Sequence, residues 1–344
     1  MENAFDRIKN CGLPVVIYGM GNGADKLRAE FAERGIEFSG VFANDEFVRG
    51  QSYAGYKVID YERAKKRFGK FCVVPAFGAA NEKAMTRMRE IAEEQLMICP
   101  ELPLFGGKVL EKAFLSENRE RIEALYKKTE DALSREIFEK CLLYRLTGEI
   151  RCLDHIMVSF ADVFRKAEPN GDEYFADFGA YNGDSIRSFL EAAGSFKGIL
   201  AVEPDKRSFK KLEKYVESLT GDVRLVNKVI SEKSGMIGFS AESSRNSHAE
   251  EGGIETPCIC GDELFADFPA SIVKLDLEGH DMPALRGMAN YIREKKPKLL
   301  VPIYHRTEDF LDLPEYILSL NPDYKLRFAK VNCYPCWDLF AIFS

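Results

Sequence analysis

A glycine-bearing turn between an apolar run and a helix-compatible run is the first feature of the sequence that indicates a ligand site. Residues 173–185 read EYFADFGAYNGDS, in which Asp177 ends the apolar run and Gly179 and Gly183 follow it. In an open parallel sheet, ligands lie beyond the carboxyl ends of the strands, and glycine lets the backbone approach where a Cβ would obstruct it. The spacing Gly-x-x-x-Gly differs from the G-x-G-x-x-G/A pattern of a pyrophosphate site, so we expect a ligand without phosphate.

An acidic residue follows the next apolar run. Residues 198–202 are apolar, and Glu203, Pro204 and Asp205 come directly after them. A carboxylate at the tip of the second strand of such a unit can accept hydrogen bonds from both ribose hydroxyls of a nucleoside. This acid, together with the glycine turn, suits a ligand that contains adenosine.

Carboxylates and histidines end two later apolar runs. Asp276, Glu278 and His280 end one run, and Tyr304 and His305 end the next. Such side chains can take a proton from a hydroxyl group, and histidine is largely neutral at pH 7 because its unperturbed pKa is about 6.5. We expect His305 to be the general base and Asp276 to position or polarise it. The structural alternatives are a carboxylate that caps backbone amides and a buried imidazole with satisfied hydrogen bonds.

A metal site is a further alternative at the first of these strand ends. Asp276, Glu278, His280 and Asp281 carry ligand atoms that suit Mg, Mn or Zn. Nothing in their spacing fixes a coordination geometry, so we predict no metal.

Four motifs in this order resemble the FkbM family of S-adenosylmethionine-dependent methyltransferases. They are D-x-G-A-x-x-G-D at 177–184, V-E-P-D at 202–205, IVKLDLEG at 272–279 and IYH at 303–305. The resemblance extends from about residue 171 to the last residue, and it implies S-adenosylmethionine as cofactor. Because the sulfonium methyl is already activated, the enzyme must mainly hold an acceptor within about 3–3.5 Å of it and exclude water.

The resemblance also suggests which residues act. We expect the turn to surround the amino-acid end of the cofactor and Glu203 to bind the ribose, and we expect His305, Asp276 and Glu278 to be catalytic. The chain departs from the family pattern at His280, where a small residue is usual, and at Asp281, where glutamate is usual. The predicted cofactor-binding residues are Asp177, Gly179, Ala180, Tyr181, Asn182, Gly183, Asp184, Ser185, Glu203, Pro204, Asp205 and Asn227.

Strands and helices alternate after residue 171, which predicts a parallel sheet with right-handed crossovers. Residues 325–328 and 339–343 resemble a closing hairpin, so we expect a seven-stranded, mostly parallel Rossmann-like methyltransferase sheet with one antiparallel strand. The polar stretch 243–253 is expected to form a loop near the mouth of the site, with His248 exposed. The fold class is α/β, with a smaller Rossmann-like α/β domain and a helical linker before this sheet.

The smaller domain has its own glycine turn. Residues 19–24 read GMGNGA between two apolar runs, which satisfies G-x-G-x-x-A, and Asp45 stands near the place of a ribose-binding acid. Two interpretations stay open, a nucleotide or nucleotide-sugar site and a tight turn in a domain that binds a partner or only packs. The segment resembles the N-terminal Rossmann-like domains of bacterial sugar-modifying enzymes. Because the two glycine turns belong to separate sheets, we expect independent sites.

The length of the chain and a helical segment in its middle indicate how it divides into domains. A chain of 344 residues exceeds one typical domain of about 100–200 residues. The charged stretch 116–146 carries one apolar stripe at helical spacing, and that stripe must pack on a domain or on a second subunit of a homo-oligomer. We predict a Rossmann-like domain at 1–107, a helical bridge at 108–170 and a methyltransferase domain at 171–344.

Composition limits the partners. The net charge of -7 argues against a nucleic-acid or anionic-membrane partner, which a basic face would attract. The N-terminal residues show no secretory signal, no apolar run approaches the roughly 20 residues of a membrane span, and the nine cysteines fit reduced thiols. These features predict a cytoplasmic protein that acts on a small-molecule or glycan acceptor.

The sequence therefore predicts O-methylation of a hydroxyl group, on a sugar or a glycan precursor. One alternative is a nucleotide-sugar or NAD-dependent enzyme that uses the turn at Gly19. The other is a ligand-binding protein without turnover.

Overall fold

Four short buried strands with helices between them form the first sheet. In the computed structural model, residues 2–105, 107–240, 248–249 and 253–344 are described. The elements of this region are α1 (Ala4–Asn10), β1 (Val15–Tyr18), α2 (Asn22–Arg34), β2 (Gly40–Phe42), β3 (Ser52–Tyr53), β4 (Tyr56–Lys57), α3 (Tyr61–Phe68), β5 (Cys72–Pro75), α4 (Glu82–Glu94) and β6 (Leu96–Met97). The strand order is β2-β1-β5-β6 with every pair parallel, and β3 and β4 form a separate hairpin. Every residue of β1 and β5 is buried, as expected for a parallel sheet that is covered on both faces.

A helical segment connects this sheet to the second one. It contains α5 (Lys112–Glu117), α6 (Arg119–Lys128), α7 (Ala132–Thr147), β7 (Met157–Val158) and α8 (Phe160–Lys166). Asp131 caps the N-terminus of α7 by accepting from the amide of Ser134 at 2.7 Å, and Gly148 ends the helix in the left-handed conformation. The buried face of α7 includes Ile137 and Phe138, and it belongs to a hydrophobic cluster that contains residues of both sheets. The two sheets are therefore joined through one continuous core.

The second sheet is larger and carries the candidate site. The elements of this region are β8 (Tyr174–Phe178), α9 (Asp184–Ala193), β9 (Gly198–Val202), α10 (Lys206–Val216), β10 (Asp222–Val226), β11 (Val229–Ile230), β12 (Gly235–Ser240), β13 (His248–Ala249), β14 (Ile254–Ile259), α11 (Gly261–Leu264), β15 (Ile272–Leu275), α12 (Asp281–Gly287), α13 (Ala289–Lys295), β16 (Lys298–Pro302), α14 (Asp309–Leu320), β17 (Leu326–Val331) and β18 (Leu339–Phe343). The order is β10-β9-β8-β15-β16-β18-β17-β7, and only β18 runs antiparallel to its neighbours.

The predicted α/β architecture with a mostly parallel sheet and one antiparallel strand is confirmed, but the strand count is wrong. The sheet has eight strands, because the two-residue β7 pairs with the end of β17, Met157 opposite Lys330 and Val158 opposite Val331. A strand of two residues is too short to show a period in the sequence. The largely apolar stretch 222–230 is divided between two sheets, since β10 ends at Val226 and β11 joins a small sheet of order β11-β14-β12-β13. The predicted loop at 243–253 falls largely on residues outside the described ranges.

The direction of the strand order reverses at β8. Its neighbour on one side is β9 and on the other is β15, so the turns after these strands open at one edge of the sheet, where ligands bind in such folds. The register places Lys274 of β15 opposite Asp177 of β8. Within the described ranges, no helix has both the length and the apolar composition that a membrane crossing requires.

Candidate active site

The turn after β8 is held tightly between the ends of two neighbouring strands. The amides of Gly179 and Ala180 donate to the carbonyl of Val202 at 2.9 and 3.0 Å. Gly179 has a φ of 82°, and a Cβ at this position would lie 2.1 Å from the carbonyl oxygen of Asp276. Only glycine permits this approach, so the residue that shapes the turn also brings it against the end of β15.

The same turn ends at the first residues of α9. Gly183 caps the helix in the left-handed conformation, and a Cβ there would lie 2.4 Å from the Tyr215 ring. The side-chain oxygen of Asn182 is buried and finds no hydrogen-bond partner among the described residues. A buried acceptor without a donor at the start of a helix is available to a ligand.

Asp177 lies beneath the turn. Its side chain is completely buried, accepts a hydrogen bond from the hydroxyl of Ser185 and lies 3.2 Å from the ammonium of Lys274. Lys274 also donates to the carbonyl of Gly179 at 3.0 Å. Burial by itself lowers the pKa of Lys274, but the carboxylates of Asp177 and Asp276 outweigh it and raise that pKa above its usual value. This buried ion pair ties β8, the turn and β15 together.

Glu203 stands at the end of β9 with both carboxylate oxygens in use. One oxygen accepts from the amide of Tyr181 and the other from the amide of Asp205, both at 2.8 Å. Burial raises the pKa of Glu203 to about 7. The carboxylate of Asp205 caps α10, and the amide of Asn227 donates to the carbonyls of Glu203 and Pro204. Asp205 and Asn227 therefore fix the backbone that carries Glu203.

A cavity of about 450 Å³ opens at these strand ends. Five of the predicted cofactor-binding residues line it: Gly179, Tyr181, Asp184, Glu203 and Pro204. The other seven, Asp177, Ala180, Asn182, Gly183, Ser185, Asp205 and Asn227, are not part of its lining, and the contacts above describe most of them as supports of the turn and of the β9 end. Asp276, Glu278, His280 and Tyr304 line the same cavity from β15 and β16.

His305 lies behind that wall, among three carboxylates. Its Nδ1 lies 2.9 Å from Asp281, and its Nε2 lies 3.3 Å from Asp276 and 3.6 Å from Glu278. Burial by itself lowers the pKa of this fully buried imidazole, but the carboxylates of Asp281 and Asp276 outweigh it and hold the pKa well above its usual value. The neutral imidazole that the sequence analysis expected is therefore not the form that this environment favours.

The pKa of the Glu278 carboxyl group is also raised, in this case mainly by burial. Burial, followed by the neighbouring carboxylate of Asp276, raises the pKa of Glu278 to about 8. A side chain in the cavity wall with a pKa close to neutral can exchange a proton under ordinary conditions. His280, the neighbouring histidine, contacts the hydroxyl of Ser231 at 3.2 Å, and burial lowers its pKa.

One further carboxylate completes the cluster around His305. The ligand-type atoms of Asp281, His305 and Asp309 lie within 4.8 Å of one another. Asp281 also accepts from the amide of Leu277 at 3.1 Å, and Asp309 accepts from the amide of Arg306 at 3.0 Å. Of the four residues considered for a metal from the sequence, only Asp281 belongs to this group, and its contacts are those of a hydrogen-bonded network.

The C-terminal segment matches a known family. Residues 177–326 match the model of the methyltransferase FkbM domain. The match covers less than half of the chain. A curated relative, the hexuronic acid methyltransferase AglP of Haloferax volcanii, is 30% identical over 118 residues. The match covers 32% of this chain and 49% of AglP, so the chain spans about half the length of that relative.

The fold of the whole chain also has a known counterpart. The crystal structure of the methyltransferase FkbM from Methylobacillus flagellatus KT matches 99% of this chain and 92% of its own, with a TM-score of 0.75 and 20% sequence identity. This likeness extends over both sheets. The resemblance to the FkbM family that the four motifs indicated is thus confirmed for the second sheet.

Three residues of the candidate active site are not among the site residues predicted from the sequence. Lys274 pairs with Asp177, and Asp281 and Asp309 surround His305. The sequence held a signal for Lys274, since alternating positions of a strand share one face and Lys274 precedes Asp276 by two residues. Asp281 and Asp309 begin helices α12 and α14, so their approach to His305 depends on how those helices pack.

A second cavity lies beside the first sheet and adjoins the candidate active site. Its volume is about 740 Å³, and Met20, Asn22 and Gly23 of the first glycine turn line it. Four residues line both cavities: Leu104, Phe105, Glu278 and Trp337. The two turns therefore open onto adjoining spaces although they belong to separate sheets. Asp45 is not among the lining residues and begins a short 3-10 helix instead.

Proposed function

We propose that this protein is an S-adenosylmethionine-dependent O-methyltransferase that acts on a hydroxyl group of a sugar or glycan precursor. Methyltransferase activity itself is supported by the match of residues 177–326 to the methyltransferase FkbM domain. The observation that carries the proposal is one cavity whose walls contain both the Gly179 turn with Glu203 and the carboxyl groups of Asp276 and Glu278. Groups that can bind the cofactor and groups that can accept a proton thus face the same cavity.

The residues present fit the cofactor. Two backbone amides donate to Glu203, one to each carboxylate oxygen. Each oxygen keeps a second lone pair that can accept a hydrogen bond from a ribose hydroxyl. The carboxylate of Asp184, which lines the cavity at the end of the turn, is an acceptor suited to the ammonium of the methionine part. When bound, S-adenosylmethionine supplies a methyl group that needs no further activation.

Glu278 is the proton acceptor that the geometry favours. It lines the cavity, whereas His305 is buried behind it and is held in the protonated form by Asp281 and Asp276. The acceptor hydroxyl loses its proton to the carboxylate of Glu278 as its oxygen gains the methyl group. Asp276 and the His305 imidazolium position the Glu278 carboxylate. This role of His305 replaces its expected role as a neutral general base.

A sugar acceptor is supported by the name of one relative and by the chemical types of the residues that line the cavity. AglP is a hexuronic acid methyltransferase, and its match falls on about half of its length. The cavity combines carboxyl groups with the rings of Tyr304, Phe105 and Trp337. Polar groups beside aromatic faces suit a ring that carries hydroxyls on an apolar frame.

Calorimetry and mass spectrometry test the proposal. Titration with S-adenosylmethionine should give saturable binding, and titration with NAD should give none. Incubation with S-adenosylmethionine and a panel of hexoses and hexuronic acids should add the mass of one methylene to an acceptor. Binding of NAD with no binding of S-adenosylmethionine would overturn the cofactor assignment, and cofactor binding without a methylated product from any hydroxyl acceptor would indicate a binding protein.

A further inference from the structure

The cavity between the two sheets contains none of the residues assigned to the cofactor, and Glu278 is the one proposed catalytic residue in its lining. Its volume of about 740 Å³ falls within the roughly 300–1,000 Å³ of typical small-molecule sites. It continues into the smaller cavity through the shared wall of Leu104, Phe105, Glu278 and Trp337. A molecule that reaches Glu278 can therefore extend into the space beside the first sheet.

The segment 102–105 connects the two sides of this cavity. The amide of Leu104 donates to the carbonyl of His305 at 3.3 Å, and the carbonyl of Leu104 accepts from the ammonium of Lys26 at 3.1 Å. Lys26 belongs to α2, next to the first glycine turn, and His305 follows β16. One residue thus fixes the position of a first-sheet lysine relative to the cluster behind Glu278.

Two cationic side chains line the larger cavity. Lys26 and Arg306 line the larger cavity but not the smaller one, and Glu278 at the shared wall is its only acidic lining residue among those described. A lysine ammonium has three donors, and Leu104 uses one of the three on Lys26. Among the described residues, no carboxylate forms an ion pair with the guanidinium of Arg306 within 4 Å. Both cations can bind an anionic group.

The tryptophan in the shared wall provides a surface for a ring. Trp337 packs against Gly78, where a Cβ would lie 2.3 Å from the indole. Its indole nitrogen is buried and finds no acceptor among the described residues. The first sheet and the β17–β18 connection also pair through Ala79 and Tyr334, whose backbones exchange hydrogen bonds of 2.7 and 2.9 Å, so this wall is fixed in place.

We propose that the cavity between the sheets is the acceptor subsite, and that Lys26 and Arg306 bind a negatively charged group of an acidic sugar whose reacting hydroxyl lies at Glu278. This inference rests on the proposed function and adds to it the class of acceptor and the role of the first sheet. The anionic group is a carboxylate, as in a uronic acid, or a phosphate, as in a sugar phosphate. Trp337 faces the sugar ring between the anionic group and the reacting hydroxyl.

Binding measurements on the full chain test the subsite without turnover. The protein is saturated with S-adenosylhomocysteine and titrated calorimetrically with glucuronic acid, glucose 1-phosphate and methyl glucoside. We expect one of the two anionic probes to bind at least tenfold more tightly than the neutral glucoside, and the probe that binds identifies carboxylate or phosphate as the anion. Lys26→Met and Arg306→Met should each weaken that probe about tenfold, the loss expected of one charge-assisted hydrogen bond.

The matched control is Lys9→Met. Lys9 is also an exposed first-sheet lysine that donates to a backbone carbonyl, that of Arg34 at 2.8 Å, but it does not line the cavity. Its substitution should leave probe affinity within about twofold, and circular dichroism should show all three variants folded, since Lys26 and Arg306 are exposed. Equal affinity of the neutral and anionic probes, or an unchanged affinity in both cavity variants, would overturn the subsite. A protein that fails to bind S-adenosylhomocysteine would instead contradict the proposed function, and the two failures are thereby distinguished.

Discussion

The imidazole of His305 and the carboxylate of Asp281 form a fully buried contact, with Nδ1 2.9 Å from Oδ2. A buried imidazole loses its proton easily unless a carboxylate compensates for the lost hydration. Here Asp281 holds one nitrogen while Asp276 and Glu278 lie near the other. His305 is therefore a fixed positive charge behind the cavity wall, and its chemistry follows from its neighbours.

Asp281→Asn should release that proton. Burial would then dominate, so the pKa of His305 should fall, which an NMR titration can follow because the chain has only four histidines. Since the folded-state pKa of His305 is raised, its contribution to stability is complete below about pH 6.5 and disappears as the pH rises through the folded pKa. The difference in unfolding free energy between wild type and variant should accordingly shrink at alkaline pH. An unchanged pKa of His305 in the Asp281→Asn variant would contradict the assignment of Asp281 as the group that keeps His305 protonated.

Glu278→Gln should abolish proton acceptance while it preserves the shape of the wall. General-base catalysis typically contributes about 10² to 10⁴ in rate, so turnover should fall by that order, with cofactor affinity within a few fold. In the wild type, the rate should rise with pH through about 8 as Glu278 loses its proton, and this rise should be absent in the variant.

His280→Asn is the comparison for that experiment. His280 lines the same cavity but contacts Ser231 and not His305. We expect it to keep more than about a tenth of the turnover, against the 10² loss expected of a missing base. Should His280→Asn lose activity and Glu278→Gln keep it, the two assignments would have to be exchanged.

Glu203→Gln should weaken S-adenosylmethionine at least tenfold, because a carboxylate accepts hydrogen bonds of about 1.5–3 kcal/mol from ribose hydroxyls and an amide accepts weaker ones. Burial raises the pKa of Glu203 to about 7, so wild-type affinity should also decrease as the pH falls from 8 to 6, and the variant should lose this dependence. Calorimetry at several pH values provides both measurements.

The neighbouring Asp205 supplies the control for Glu203. It caps α10, so Asp205→Ala should lower the unfolding free energy by about 1 kcal/mol with little change in cofactor affinity. If Asp205→Ala weakened the cofactor as much as Glu203→Gln did, the carboxylate at the end of β9 would be a backbone support and not a ribose ligand.

Gly179→Ala should destabilise the protein and abolish cofactor binding. A Cβ at Gly179 would lie 2.1 Å from the Asp276 carbonyl, in addition to the strain of about 1–2 kcal/mol that a left-handed φ imposes on alanine. Gly194 has a similar φ of 78° with nothing within 4 Å of the added Cβ, so Gly194→Ala isolates the strain. Thermal unfolding should show a clearly larger loss for Gly179→Ala, and equal losses would mean that the turn can move away from β15.

Much of the second sheet could be predicted from local sequence. The apolar run 198–202 matches β9 at both ends, and the runs that end near Asp177 and Asp276 correspond to β8 and β15, because buried parallel strands are continuous apolar runs. The two-residue β7 could not be predicted, since it exists only by pairing with β17. The prediction of seven strands failed for that reason.

The sequence by itself determined the parallel α/β sheet, the glycine turn and the residues at the strand ends, because strand direction brings successive strand ends to one edge. Tertiary structure alone decided the charge of His305, since its pKa depends on Asp281 from a helix and on complete burial. It also decided that the first glycine turn opens onto a cavity beside the candidate active site, because packing of the sheets places Lys26, Leu104, Trp337 and Glu278 around one space. Neither burial nor the contact between distant segments has a local pattern in the sequence.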